Sequence, residues 1–337
     1  KEKTRGTNRA HGIVELLVTV RTGHRGNVFH ATPLSGRPGK ILTCAADGQL
    51  NLSDIEVQST SAQSLTSSTT IIGSEGRDRG QNGMCFSHHM LNDNSGLLCC
   101  EGGLRRFDLR QPPQSQPSTW LLRNNDACTS CAIFSSSGYD STYAFVGGRE
   151  DLGLYDLRFY QNSSKVIQTY RPACFPPSIK VSVSGIDISK DRKELLVSYE
   201  NDQAYTFPIF PLCSTDPSLE EIDSFSESPQ CNPHFASYGG HLNRFTFLKS
   251  AKYAGPCDEY ICTGSDSGHA VIYDKKTTAI VSLLKADTST CNGIVPHPVL
   301  PIFITYGISS TAKLWRATMP VDDETDDSMT VSCVINI

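Results

Sequence analysis

The chain has 337 residues, 19% of them charged, with a formal net charge of -5. That length holds two ordinary domains or one large all-β unit, and the charge balance excludes the global basic field that non-specific nucleic-acid binding needs. The nearest candidate for a targeting or membrane segment, IVELLVTV at 13–20, is short and broken by Glu15, unlike a bilayer span or a secretory signal. These readings lead to the expectation of a soluble protein of the nucleus or cytoplasm, a monomer on its own, with no direct nucleic-acid or membrane partner.

Helical periodicity is almost absent along the chain. Short runs alternate apolar and polar residues between clusters of Gly, Asp, Ser and Asn, the pattern of many short strands. After the strand-like IVELLVTVRT, one phrase recurs: a small-residue-rich strand, a tight turn, then a strand ending in an aromatic and often an acid. It reads ILTCAADGQLNLSDIE (41–56), GLLCCEGGLRRFDLR (96–110), YAFVGGREDLGLYDLR (143–158), ELLVSYENDQAYTFP (194–208), EYICTGSDSGHAVIYD (259–274) and PIFITYGISSTAKLWRA (301–317). The aromatic recurs at Phe107, Tyr155, Phe207, Tyr273 and Trp315, at intervals of 48, 52, 66 and 42 residues, with Ser53 in that place in the first copy.

A four-stranded unit repeated at this spacing predicts the blades of a β-propeller. The legible blades span about 23–73, 83–125, 128–172, 181–240, 241–285 and 288–318. In the fifth, the first strand is expected almost directly after Gly240-His241, a spacing short enough to suggest a gap. IVELLVTVRT is read as the surviving end of a further, first blade, which makes seven. The C-terminal VSCVINI (331–337) could complete that seventh group. A Ser/Thr-rich connector at 58–70, an acidic Ser- and Pro-rich insertion at 214–234 and an acidic tail at 321–328 have the composition of solvated segments.

Chemistry-bearing motifs are few. The 13 cysteines are odd in number and sit mostly in apolar runs, which fits reduced core thiols better than a disulfide framework. Cys128-Thr-Ser-Cys131 has CxxC spacing, but it lies in an alternating segment with no second ligand pair, so a structural role is expected. His88 and His89 point to opposite faces of a strand and cannot together chelate one metal. No catalytic constellation emerges, and neither enzyme activity, a metal nor a cofactor is expected.

Several residues match the WD40 repeat. Gly23-His24 and Gly240-His241 match its opening Gly-His, Asp47 stands at its turn Asp, and Trp315 and Tyr155-Asp156 match its closing dipeptide. The resemblance implies that His24, Asp47, His241 and Trp315 belong to the buried hydrogen-bonded sets that pin WD40 blades. The expected fold is therefore one all-β, seven-bladed WD40 β-propeller over 1–337, its first blade incomplete.

Two copies of the phrase end alike, in Phe107-Asp108-Leu109-Arg110 and Tyr155-Asp156-Leu157-Arg158. In a propeller the third strand of a blade runs to the bottom face. Both arginines should then emerge on neighbouring blades at one rim, where their planar forks suit carboxylates and carbonyls. A purely local pairing of each Arg with its own Asp is the alternative. LLCCEGGLRRFDLR and FVGGREDLGLYDLR further resemble the DWD box, or WDxR motif, of the WD40 substrate receptors of cullin-4 RING ubiquitin ligases. TGSDSGH and PHPVLP are similar to the cullin-4-associated factors around the member numbered eight. This resemblance implies that Asp108, Arg110, Asp156 and Arg158 bind the ligase's damage-specific DNA-binding protein adaptor. Phe107 and Tyr155 replace the motif's Trp, and the turn at Arg149-Glu150-Asp151 is one residue short, which bears on the height of Arg158. On the top face, Arg149 with Arg77 and Arg79 would receive a substrate protein. The alternative is a WD40 interaction scaffold, in chromatin or RNA complexes, without a ligase role.

Overall fold

The alternation in the sequence is realised as strands that pair almost only with their neighbours in the chain, in antiparallel meanders. The computed structural model describes residues 20–56, 65–73, 83–116, 120–123, 128–134, 143–149, 152–158, 166–176, 178, 182–209, 231–232, 234–246, 249–317 and 329–336. The first sheet contains Val28–Pro33, Lys40–Ala45, Leu50–Glu56 and Leu65–Ile72; the second contains Cys85–Met90, Ser95–Cys100, Gly103–Asp108 and Trp120–Arg123. The third is built from Cys128–Phe134, Tyr143–Gly148, Leu152–Asp156 and Val166–Tyr170, and the fourth from Val183–Ile188, Glu194–Tyr199, Ala204–Pro208 and Ala236–Tyr238. The fifth has Lys252–Ala254, Tyr260–Gly264, His269–Asp274 and Ile280–Lys285; the sixth has Cys291–Pro296, Ile302–Gly307, Thr311–Ala317 and Met329–Asn336.

Each inner sheet buries both faces, which explains second strands that are apolar throughout instead of strictly alternating. In Ser95–Cys100, Leu98 and Cys100 pack with Leu42 and Leu50 of the first sheet, while Leu97 and Cys99 pack with Cys131 and Val146 of the third. In Glu194–Tyr199, Leu195 and Val197 join Phe145 and Tyr170 of the third sheet, and Leu196 joins Ile261 and Val271 of the fifth. Cys262 and Ile272 of the fifth then pack with Phe303 and Trp315 of the sixth. Five such clusters couple six sheets in chain order. Fully burying one Leu or Phe contributes about 1.5–3 kcal/mol, so these shared layers are the main cohesion between blades.

Six sheets, not seven, make up the propeller among the described residues. VSCVINI does not serve a seventh group. Its described residues, 331–336, lie in Met329–Asn336, which pairs along the whole of Thr311–Ala317 and supplies the outer strand that the sixth sheet otherwise lacks. The face of the sixth sheet turned away from the fifth leaves Val295, Ile304 and Tyr306 exposed at 53%, 38% and 43%. Of IVELLVTVRT, only Val20 to Thr22 fall within the described residues.

The other boundaries hold closely, with two differences. After His241 the first strand of the fifth sheet waits until Lys252 and is three residues long. The irregular stretch before it is held by Lys249, fully buried, whose ammonium lies 2.5 Å from the Asp266 carboxylate. Cys231–Asn232, inside the 214–234 insertion, adds a short parallel strand to the outer edge of the third sheet. The tail at 321–328 and residues 214–230 lie outside the described residues.

Candidate functional site

In a four-stranded meander the first and third strands run the same way, so the third strands of the second and third sheets end at one rim with the first strands' exits. In the second sheet, the last cross-strand pairs are Gly96–Phe107 and Ser95–Asp108. Phe107 is fully buried, and its ring occupies the space a Cβ on Gly96 would need. That glycine leaves room for the bulky aromatic over its partner strand.

Beyond the strand the chain turns back. Leu109 donates its N–H to the Asn94 carbonyl at 2.7 Å, and its side chain packs on the core shared by the first two sheets. Asp108 Oδ1 accepts from the backbone N–H of Arg110 at 2.9 Å and from its Nε at 3.0 Å, and Oδ2 accepts from Nη2 at 2.6 Å. The third sheet repeats this fork: Asp156 Oδ1 accepts from Arg158 N at 2.9 Å and Nε at 3.0 Å, and Oδ2 accepts from Nη2 at 2.6 Å. The shortened turn before Leu152 therefore does not disturb the corner.

Electrostatics favour a fixed fork. The Arg110 guanidinium hydrogen-bonded to Asp108 pulls that carboxyl down to about 2, and Arg158 lowers Asp156 in the same way. The carboxylates are 14% and 13% exposed, whereas the Arg110 and Arg158 side chains are 67% and 55% exposed. A nearly buried anion thus orients a cation whose outer edge faces solvent, an arrangement able to grip a carboxylate or carbonyl of another chain.

His24 and Asp47 sit at the other end, at the turn between the second and third strands of the first sheet. His24, whose side chain is 1% exposed, meets Asp47 Oδ1 through Nδ1 at 3.1 Å and Thr43 Oγ1 through Nε2 at 3.0 Å. Trp315 Nε1 donates to Thr305 Oγ1 at 2.9 Å. In the fifth sheet the turn aspartate, Asp266, accepts from the Arg244 N–H and pairs with Lys249 instead of meeting His241. His241 Nδ1 lies 2.9 Å from the Tyr273 hydroxyl, which donates to the Gly239 carbonyl and so accepts from the imidazole. In the sixth, Asp287 takes the histidine's place and accepts from Ser309 N at 3.1 Å and from its hydroxyl. This swap was hidden in sequence because both partners changed type; only their distance from Thr305 marks them. The buried Lys249–Asp266 pair gave no signal from Lys249 at all.

Of the residues expected to face a substrate, Arg149 is exposed on the turn after Tyr143–Gly148, while Arg77 and Arg79 lie outside the described residues. The thiols of Cys128 and Cys131, hydrogen-bonded to Cys99 and buried, are held well above the ordinary range, as suits inert core cysteines. No group of three or more His, Cys, Asp or Glu among the described residues is arranged to hold a metal ion.

No protein-family profile matches the chain. It is 38% identical over 88 residues to the mouse and human "WD and tetratricopeptide repeats protein 1", a stretch covering 26% of this chain and 13% of that protein. It is also 38% identical over 78 residues to the human "DDB1- and CUL4-associated factor 6", covering 23% of this chain and 9% of the relative. The matched segments therefore span a small part of either relative's length. Among solved structures, the WD40 β-propeller domain of Doa1 superposes with a TM-score of 0.61 at 13% identity, over 96% of this chain and 86% of that one. The Cps50 (Swd1) propeller domain of Myceliophteria thermophila gives 0.55 at 13% identity, over 84% and 80%. These likenesses show the fold, an all-β β-propeller like the WD40 domain of Doa1, and the buried His24–Asp47–Thr43 and Trp315–Thr305 sets fit it.

Proposed function

We propose that this propeller is a non-catalytic substrate receptor of a cullin-4 RING ubiquitin ligase, working in the nucleus or cytoplasm. Its Asp108–Arg110 and Asp156–Arg158 corners dock on the damage-specific DNA-binding protein adaptor, and the opposite end, where Arg149 is exposed, presents a substrate protein. The observation that carries this reading is the repetition: two forks with the same three hydrogen bonds on consecutive sheets, each with the carboxylate shielded and the guanidinium turned outward. The partial likeness to a relative named for association with DDB1 and CUL4 points the same way.

The internal pairing of each fork favours a second reading, in which the corners only close their strands and the propeller is an interaction scaffold without ligase role. Recovery of the adaptor from cells with tagged wild type and with the Arg110→Ala, Arg158→Ala double variant separates the two. The docking reading expects adaptor with the wild type and a loss of about tenfold or more with the variant. Equal recovery from both, or no adaptor with either, sinks it.

A further inference from the structure

A cavity of about 370 Å³ opens between the first and second sheets, lined by the exits of their inner strands, Val28–Pro33 and Cys85–Met90, and by the turns that follow. Those exits lie at the same end as Arg110. The cavity wall and the corner are one unit, since Asn94, in the turn that borders the cavity, accepts from Leu109 N and from the Arg37 guanidinium. The position places the cavity beside the proposed docking surface, in a size range that holds a single side chain or small ligand.

Its walls ask for a particular chemistry. His30, His88 and His89 line it, with Leu34, Met90 and Leu91 as the apolar part. His88 and His89 both stand beside the His30 ring and not on the fully separate faces expected of neighbours in a strand. His30 Nδ1 accepts the backbone N–H of His88 at 3.3 Å and also lies 3.3 Å from His88 Nδ1. Since the His30 nitrogen is already an acceptor, the proton between the rings belongs to His88 Nδ1, and His88 Nε2 carries a bare lone pair. That atom is buried without a hydrogen-bond partner, in a residue 1% exposed. A buried acceptor left unpaired is costly, so a donor from outside gains more here than at the surface. The rings of His30 and His89, 6.1 Å apart and inclined by 29°, offer flat faces for an aromatic group. Burial keeps both imidazoles neutral, and Lys252 of the fifth sheet acts on both in the same sense, which disfavours a second cation. Asp93 at the rim disfavours an anion.

We infer that this cavity receives a tryptophan or tyrosine side chain of the protein docked at the Arg110 end, its N–H or O–H donating to His88 Nε2 and its ring lying along the imidazoles. The inference rests on reading that end as a docking face. It gives the face an aromatic anchor beside its two charged forks, the type of residue that carries much of an interface's binding energy.

The test uses the whole chain alone and N-acetyl-tryptophanamide as probe, followed through the histidine ring signals by NMR. Saturable shifts of His30, His88 and His89 are expected, with the indole N-methylated probe binding about fivefold more weakly because it has no donor. The His88→Leu substitution should bring the two probes to equal affinity. Should that variant not fold, Ser35→Trp at the exposed rim should weaken both probes alike. No saturable shift with either probe, or equal affinities in the wild type, overturns the inference. Probe binding without adaptor recovery from cells would sink the docking reading alone, whereas adaptor recovery without probe binding would sink the pocket alone.

Discussion

At Asp108–Arg110 the turn is held from its far side. Gln116, just after the short 3-10 turn Pro113–Ser115, accepts from Asp108 N at 3.0 Å and donates to the Asp108 and Gln111 carbonyls at 2.7 and 2.8 Å. At Asp156–Arg158 the support comes from the neighbouring strand. Tyr143, opposite Asp156 in register, accepts from Arg158 Nη2 at 3.2 Å and sets its ring 5.6 Å below the guanidinium. Ser95 fills that register position in the second sheet. The forks nonetheless share the same three hydrogen bonds. A tetrapeptide of aromatic, Asp, Leu and Arg at a strand end therefore makes the fork locally, and the surroundings decide only what braces it.

The comparison can be broken most severely at the aromatic. Phe107 is fully buried over Gly96, so Phe107→Ala should cost about 3–5 kcal/mol in urea unfolding. Tyr155 is only partly buried, and Tyr155→Ala should cost about half as much. Equal losses would mean that the two corners hang on their sheets in the same way after all.

Acid sharpens the contrast between corner and interior. Burial lowers His30 to about 4, His89 to about 3 and His241 to about 4, all below the unfolded value of 6.5. The unfolded chain then binds protons that the folded one refuses, so stability is complete above pH 6.5 and falls as the pH drops from there toward 4. Asp108, held at about 2, stays ionised through this window. The urea midpoint should thus decline between pH 7 and 5 while the corner carboxylates keep their ionised ¹³C shifts. A flat midpoint over that range would contradict the neutral, buried imidazoles.

The smallest effect belongs to the brace itself. Tyr143→Phe keeps the ring under Arg158 and removes one hydrogen bond at an exposed fork, so stability should change by less than about 0.5 kcal/mol. Adaptor recovery should remain near the wild-type level, because the Asp156 carboxylate still orients the guanidinium. A loss as deep as that of the double arginine variant would show that the fork needs its tyrosine.

Repeat spacing gave the blade period and the bounds of the first four sheets to within a few residues, because four-stranded meanders leave a local phrase in the chain. It misplaced VSCVINI, since an outer strand carries the same alternation whichever sheet it joins. It also set the fifth sheet's first strand too early, as nothing in LNRFTFLKS betrays that Lys249 is withdrawn to meet Asp266. Arg110 and Arg158 were legible as a pair. The His30–His88 contact was not, because the residues lie 58 positions apart on the facing strands of two sheets.

By itself, then, the amino-acid order determines what depends on near neighbours: the strands, their turns, the blade period, and the Asp–Arg forks, whose hydrogen bonds close within three residues. Tertiary structure alone decided how many sheets form, which sheet takes the C-terminal strand, which polar partners replace a missing His, and where three imidazoles meet around a cavity. Those outcomes rest on packing and on the satisfaction of buried polar groups between segments distant in sequence, where many pairings share one local pattern and burial selects among them.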